Sequence, residues 1–289
     1  MLRRLRQRGT AIPAGIVVLL ALVLVAYPLA GGAVAPLGGA GSPAADNVRT
    51  LYLIALVLGV IVFLGVEGIL IYSLVNHRFR RGAAEPEQVR GNTRLELGWT
   101  IAAAVVLVII SAITFAFLPG IKNPARSEPS GLRAQTRGAL ATIDQPPPEG
   151  GSRLTVNVIG QQFIWRYDYP GRDQVFSFHE MVVPVDTTVL LNITSSDVVH
   201  AYWVPKLFGK ADAMPGQTNR TWFKASKLGA YDGSCTELCG ENHAQMRNRI
   251  RVVPVGEFVR WRARQAEAIR ESHALLSLSR RLGAAAGEP

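Results

Sequence analysis

The chain has 289 residues, 48% of them hydrophobic and only 18% charged, with a formal net charge of +10. So much apolar character excludes a disordered chain, and two cysteines are too few for a disulfide-built scaffold. The positive charge points to no nucleic-acid partner, because many arginines sit at the start, in one short loop and after Gly256, with no nucleic-acid module beside them.

Residues 1–35 read as a signal peptide or N-terminal apolar segment. Arg3, Arg4, Arg6 and Arg8 precede an apolar run from Ala11 to Ala30, the layout of a secretory leader, and removal is the expected outcome. Ala33-Val34-Ala35 has the small-residue form of a cleavage site, but Pro36 follows directly and argues against a cut there, leaving an uncleaved helix or a later cut open.

Two nearly uncharged runs follow, Leu51 to Val75 and Leu97 to Leu118, and together they predict a transmembrane helical hairpin over 48–119. At 1.5 Å per residue, about 20 residues cross a hydrocarbon core of roughly 30 Å, so each run is long enough. The connecting loop carries His77-Arg78-Phe79-Arg80-Arg81, then Arg90 and Arg94. A short arginine-rich loop stays on the cytoplasmic side, which puts everything after Leu118 outside a plasma membrane of bacterial type.

From 120 to 152 proline, glycine and small polar residues predict an exposed linker, with Pro146-Pro147-Pro148 and Gly150-Gly151 near its end. Over 153–256 apolar residues alternate: Leu154, Val156, Val158; then Phe163, Trp165, Tyr167, Tyr169; then Val189, Leu191, Ile193. Period-two alternation broken by Pro170-Gly171, Pro215-Gly216 and Asp232-Gly233 predicts an antiparallel β-sandwich. The tail, 257–289, has Phe258, Trp261, Ile269 and Leu276 at helical spacing, interrupted by Gln265, and predicts a peripheral helix without chemistry of its own.

Chemistry concentrates in residues 235–246, Cys-Thr-Glu-Leu-Cys-Gly-Glu-Asn-His-Ala-Gln-Met. Two thiols, an imidazole and a thioether on one loop are the soft and borderline donors that copper prefers. A structural zinc site has no use for a thioether, and a mononuclear blue-copper site uses one cysteine, so the second cysteine suggests two ions bridged by Cys235 and Cys239. The bland alternative is a disulfide between them. His243 and Met246 are the further ligands on the loop. His200, closing the segment Thr194 to Val199 after a predicted strand, is the best candidate from elsewhere. His77, His179 and His273 have no neighbouring donors and read as surface or structural residues.

Over roughly 48–262 the sequence resembles subunit II of cytochrome c oxidase. Cys-x-Glu-x-Cys-Gly-x-x-His-x-x-Met matches in full, and the blocks Asp197 to Pro205 and Lys210 to Gly216 resemble the segments that accompany it. The resemblance implies a membrane-anchored all-β protein: a transmembrane hairpin followed by a cupredoxin-like sandwich. It implies a two-copper centre (CuA) in which Cys235 and Cys239 bridge, His200 and Met246 bind one ion, and His243 with the Glu237 backbone carbonyl binds the other. The Glu237 carboxylate would help bind magnesium at the interface with subunit I. Electrons would come from cytochrome c and pass to haem in subunit I, where oxygen is reduced; the chain alone holds no haem, and no Cys-x-x-Cys-His for an attached one occurs.

Leu95-Glu96-Leu97-Gly98-Trp99-Thr100 resembles the segment whose glutamate starts a proton pathway into subunit I, which makes Glu96 the candidate against a plain interfacial carboxylate. Glu67, deeper in the first span, is expected to face subunit I, pair or be protonated. One departure stands out: where the family has Trp-x-Trp, this chain has Phe163-Ile164-Trp165, so electrons would enter through Phe163, shift to Trp165 or Tyr167, or use a different donor geometry. The rivals are a copper-free quinol oxidase subunit II, the copper domain of nitrous oxide reductase and a membrane-tethered copper carrier. Filled ligand positions argue against the first and the hairpin against the second.

Overall fold

A computed structural model describes residues 39, 41–77, 88, 90–128, 130–131, 153–171 and 173–286. The expected leader over 1–35, most of the hairpin loop and the Pro- and Gly-rich stretch within the expected linker lie outside the described residues. The chain divides into two compact bodies. Among the described residues one body lies within 49–119, and the other joins 39 and 41–48 to the described chain from Gly120 onward.

In the first body lie most of helix α1 (Pro43–Asn76) and most of helix α2 (Thr93–Lys122), both longer at their ends than the apolar runs alone. Ile69, Leu107 and Phe115 are 70%, 66% and 72% exposed, and the apolar exposure continues along both helices. A soluble helix would bury one such stripe; helices apolar all round need an apolar surrounding. Asn92 caps α2: its side chain accepts the Leu95 N–H (3.2 Å), while the Asn92 N–H donates to Glu96 Oε1 (3.1 Å). These two bonds satisfy donors that a helix start leaves unpaired.

The second body is a sandwich of ten strands: β1 (Arg153–Gln161), β2 (Ile164–Tyr169), β3 (Val175–Phe178), β4 (Glu180–Pro184), β5 (Thr188–Ser195), β6 (His200–Trp203), β7 (Ala211–Ala213), β8 (Asn219–Lys224), β9 (Gly229–Cys235) and β10 (Arg247–Val253). One sheet runs β3-β2-β1-β5-β8 and the other β4-β10-β9-β6-β7. The alternation reads directly into burial: Val156, Val158, Leu191 and Ile193 of one sheet are fully buried, as are Met181 and Ile250 of the other.

Three details differ from the sequence reading. β1 pairs with β5, and β10 with β4, in parallel, so the sandwich is mixed; alternation tells which face a residue takes and not which strand lies beside it. Phe163 does not continue the strand. With Gln162 it forms the two-residue connection of the β1–β2 hairpin, where Gln161 opposes Ile164, while Trp165, Tyr167 and Tyr169 fill the core. The start of the expected linker is also tied down: Thr188 bonds Ala125 O and Ser127 Oγ, the Glu128 N–H donates to Asp186 O, and Trp222 Nε1 donates to Ile121 O.

Tyr169 joins the sheets, its hydroxyl accepting the Val182 N–H (2.8 Å) and donating to Val182 O (3.0 Å) in the buried interior. Tyr169→Phe strands both backbone groups, and chemical denaturation is expected to show a loss of about 1–3 kcal/mol. Helix α3 (Val255–Ala286) lies on β3 and β4 through Phe258, Trp261, Ala266 and Ile269. Gln265, which interrupts the apolar stripe, donates to Phe176 O (2.9 Å), and Leu276 is exposed.

Candidate metal centre

Three connections meet at one end of the sandwich: the Gln162-Phe163 hairpin, the β5–β6 loop before His200, and the β9–β10 loop from Thr236 to Met246. The last is held shut at its base, where the Cys235 N–H donates to Met246 O (3.0 Å) and the Thr236 N–H to Ala201 O (3.0 Å). A short 3₁₀ turn, His243–Gln245, brings the loop back. His200 thus opens one strand and Cys235 closes its neighbour, which sets their side chains together.

Inside that frame the donor atoms converge. Cys235 Sγ lies 3.9 Å from Cys239 Sγ, 3.9 Å from His200 Nδ1 and 3.3 Å from the Glu237 carbonyl oxygen. Cys239 Sγ lies 3.5 Å from His243 Nδ1 and 3.8 Å from Met246 Sδ. Both cysteines are free and buried, as are His200 and Met246. Each sulfur has one imidazole nitrogen and one weaker donor beside it, a soft set that fits copper better than zinc. Among the described residues, His200, Cys235 and Cys239 form the group of His, Cys and carboxylate ligand atoms close enough to share a metal; His179, His77 and His273 are exposed and are not part of that group.

His200 is oriented by Asp197, whose Oδ1 is 2.9 Å from His200 Nε2. A carboxylate only accepts, so Nε2 carries the proton and Nδ1 turns its lone pair to the thiols. Partial burial raises the Asp197 pKa, but hydrogen bonds from Gln162 N–H, His200, Val198 N–H and Ser195 outweigh it and hold the group at about 2. Burial and the neighbouring Cys235 thiol push Cys239 up to about 11. Cys239 therefore holds a proton at neutral pH that a metal must displace, and copper uptake followed by titration is expected to strengthen about tenfold per pH unit from this proton alone.

Gly160 had no place in the sequence reading, and Gly240 entered it only as the glycine of the matched Cys-Gly-x-x-His pattern. Gly160 ends the buried face of β1, and a Cβ there would come within 2.9 Å of the His200 ring. Gly240 takes φ +129°, and a Cβ there would meet Gln162 Nε2 at 2.9 Å and the Phe163 ring at 3.2 Å. Such backbone belongs to glycine. Phe163 is half-buried beside the ligand loop, whereas Trp165 is fully buried, edge-on to His200 with centroids 5.8 Å apart. Glu237 and Leu238 are exposed at the loop tip. Glu96 caps α2, apart from this cluster in sequence and in the other body, and Glu67 is half-buried along α1.

Residues 174–255 match the family model for the periplasmic domain of cytochrome c oxidase subunit II, and residues 33–117 match its transmembrane domain. Cytochrome c oxidase subunit 2 of Thermostichus vulcanus is 33% identical over 267 residues, covering 82% of this chain and 79% of that protein. The Alkalihalophilus pseudofirmus subunit 2 is 31% identical over 219 residues, 75% of this chain; the chain spans 56% of that relative's length. Among solved structures, the periplasmic domain of subunit II of the Bradyrhizobium japonicum cytochrome oxidase is 38% identical, covering 40% of this chain and 94% of its own, with a TM-score of 0.39.

Proposed function

The chain belongs to the cytochrome c oxidase subunit II family, and from that premise we propose that it takes electrons from cytochrome c at two copper ions and passes them to haem in oxidase subunit I, where oxygen is reduced to water. It is a membrane-anchored protein with an extracytoplasmic β-domain. The observation that carries the reading is the convergence of two free thiols, two imidazole Nδ1 atoms, a thioether and a backbone carbonyl within 4 Å steps of one another.

In this reading the Cys235 and Cys239 sulfurs would hold both ions, with His200 and Met246 as the further ligands of one and His243 with the Glu237 carbonyl as those of the other. A copper pair supplies one-electron chemistry shared over two nuclei. The chain's own part is to hold the donors still, so that little rearranges when the charge changes. The buried floor of Trp165 and Tyr202 keeps water from the His200 side. The exposed Glu237 carboxylate is assigned to magnesium shared with subunit I, and Glu96 to the start of a proton path. The domain limits proposed are 48–119 for the anchor, 153–256 for the copper domain and 257–289 for the tail.

Copper content and the electron paramagnetic resonance spectrum of the full-length chain in detergent test the proposal. Two ions per chain, with hyperfine structure from one electron on two nuclei, are expected. One ion with a mononuclear spectrum sinks it in favour of a tethered copper carrier, and no copper on reduced thiols in favour of a quinol-type subunit.

Electrons are proposed to enter at Phe163, because Trp165 has no surface to offer a donor. Phe163→Ala is expected to slow reduction by cytochrome c about tenfold or more while the copper spectrum stays unchanged, since misplacement of reacting groups by an ångström costs up to about a hundredfold. Stopped-flow mixing with reduced cytochrome c reads the rate.

A further inference from the structure

Gln162 binds no metal in the reading above, yet it touches both halves of the centre. Its backbone N–H donates to Asp197 Oδ2 at 2.7 Å, and its side-chain amide donates to the Cys239 carbonyl oxygen at 2.6 Å. A carbonyl only accepts, which fixes the amide nitrogen as the group turned to it. Asp197 Oδ1 in turn holds His200 Nε2 at 2.9 Å. One unbroken path therefore runs from Cys239 through Gln162 and Asp197 to His200.

The path crosses between sheets. Gln162 sits in the β1–β2 hairpin of one sheet, while His200 and Cys235 begin and end strands of the other. Gly240 is the seat for the amide: without a side chain and at φ +129°, it lets Gln162 Nε2 lie where a Cβ would come within 2.9 Å. We infer that Gln162 is a positioning residue of the copper centre, setting the spacing of the His200 imidazole from the Cys239 thiolate by clamping the two ligand loops to the hairpin. This deepens the proposed function and rests on it.

The side chain is exposed, so packing cannot be what it supplies to the core. Its contribution is directional, and Gln162→Met tests that, having similar length but no donor. In the copper-loaded full-length chain Gln162→Met is expected to release copper to a chelator about tenfold faster or more, in line with the 10–100-fold effects of groups that orient ligands. Its hyperfine spectrum and reduction potential are expected to shift, while the copper-free variant unfolds at the wild-type temperature. Gln162→Lys, which keeps a donor, is expected to stay close to wild type.

Wild-type release rate, spectrum and potential in Gln162→Met overturn the inference. Should Gln162→Met fail to fold, the comparison of Gln162→Lys with Gln162→Glu decides: faster release from the acceptor-only glutamate supports the clamp, and equal rates overturn it. A wild-type chain that never holds two ions overturns the proposed function, and the inference with it. A wild-type chain that holds two beside an unaltered Gln162→Met overturns the inference alone.

Discussion

Cys239→Ser is expected to leave a folded chain that cannot hold a copper pair. Copper in the purified full-length protein falls from two ions to one or none, the shared-electron spectrum disappears, and reduction by cytochrome c drops by more than about a hundredfold, beyond the 10–100-fold cost of losing a group that only orients a ligand. The substitution changes little volume, but it exchanges the donor that has His243 Nδ1 at 3.5 Å and Met246 Sδ at 3.8 Å for a harder oxygen that copper binds less well. Cys235→Ser should match it, because Cys235 stands in the same relation to His200 and the Glu237 carbonyl. Stability should fall by about 1–3 kcal/mol, the usual cost of a buried hydroxyl without a partner. A serine variant that still binds two ions with the wild-type spectrum means the thiols do not bridge, and the centre must be rebuilt around the histidines.

Most of the proposed ligands could be read from the sequence because they form a local pattern. Cys235, Cys239, His243 and Met246 lie on one loop, and their residue types carry the chemistry whatever the fold does, whereas the Glu237 backbone carbonyl follows from the family resemblance alone. His200 lies outside that loop and is reached from its place after a predicted strand and from the resemblance of the Asp197 to Pro205 block; the structure brings its Nδ1 to 3.9 Å from Cys235 Sγ. What escaped was the support. Asp197 stands in the sequence only as the start of a block that resembles the family, and Gln162 only as a polar residue before an aromatic run. Their roles depend on which loop folds over which, and a sequence states no such neighbours. The strand pattern had the same limit: alternation gave the buried faces of β1 and β5 but not that they run parallel.

Gly160 joins these lessons into the second large effect. Leu154, Val156 and Val158 are buried along β1, so the pattern asks for another apolar side chain at 160, and the chain has none. The reason is occupancy. A Cβ there would lie 2.9 Å from His200 Cδ2, 3.2 Å from its Cγ and 3.2 Å from Trp165 Cζ3. Neither ring has room to retreat, since both residues are fully buried. The strand cannot withdraw either: the Gly160 carbonyl accepts the Ser196 N–H at 3.0 Å, tying it to the loop that delivers His200. Gly160→Val is therefore expected to cost about 1–3 kcal/mol through overpacking. By pushing the imidazole off its line to the thiols, it should also weaken copper binding by about 10–100-fold. Gly209→Ala supplies the control, because a Cβ at that position meets nothing within 4 Å. Equilibrium copper competition on the full-length chains separates the two substitutions. Wild-type affinity and spectrum in Gly160→Val would mean that the His200 ring is held elsewhere than this strand allows; loss in Gly160→Val alone ties the copper centre to a missing side chain on the neighbouring sheet.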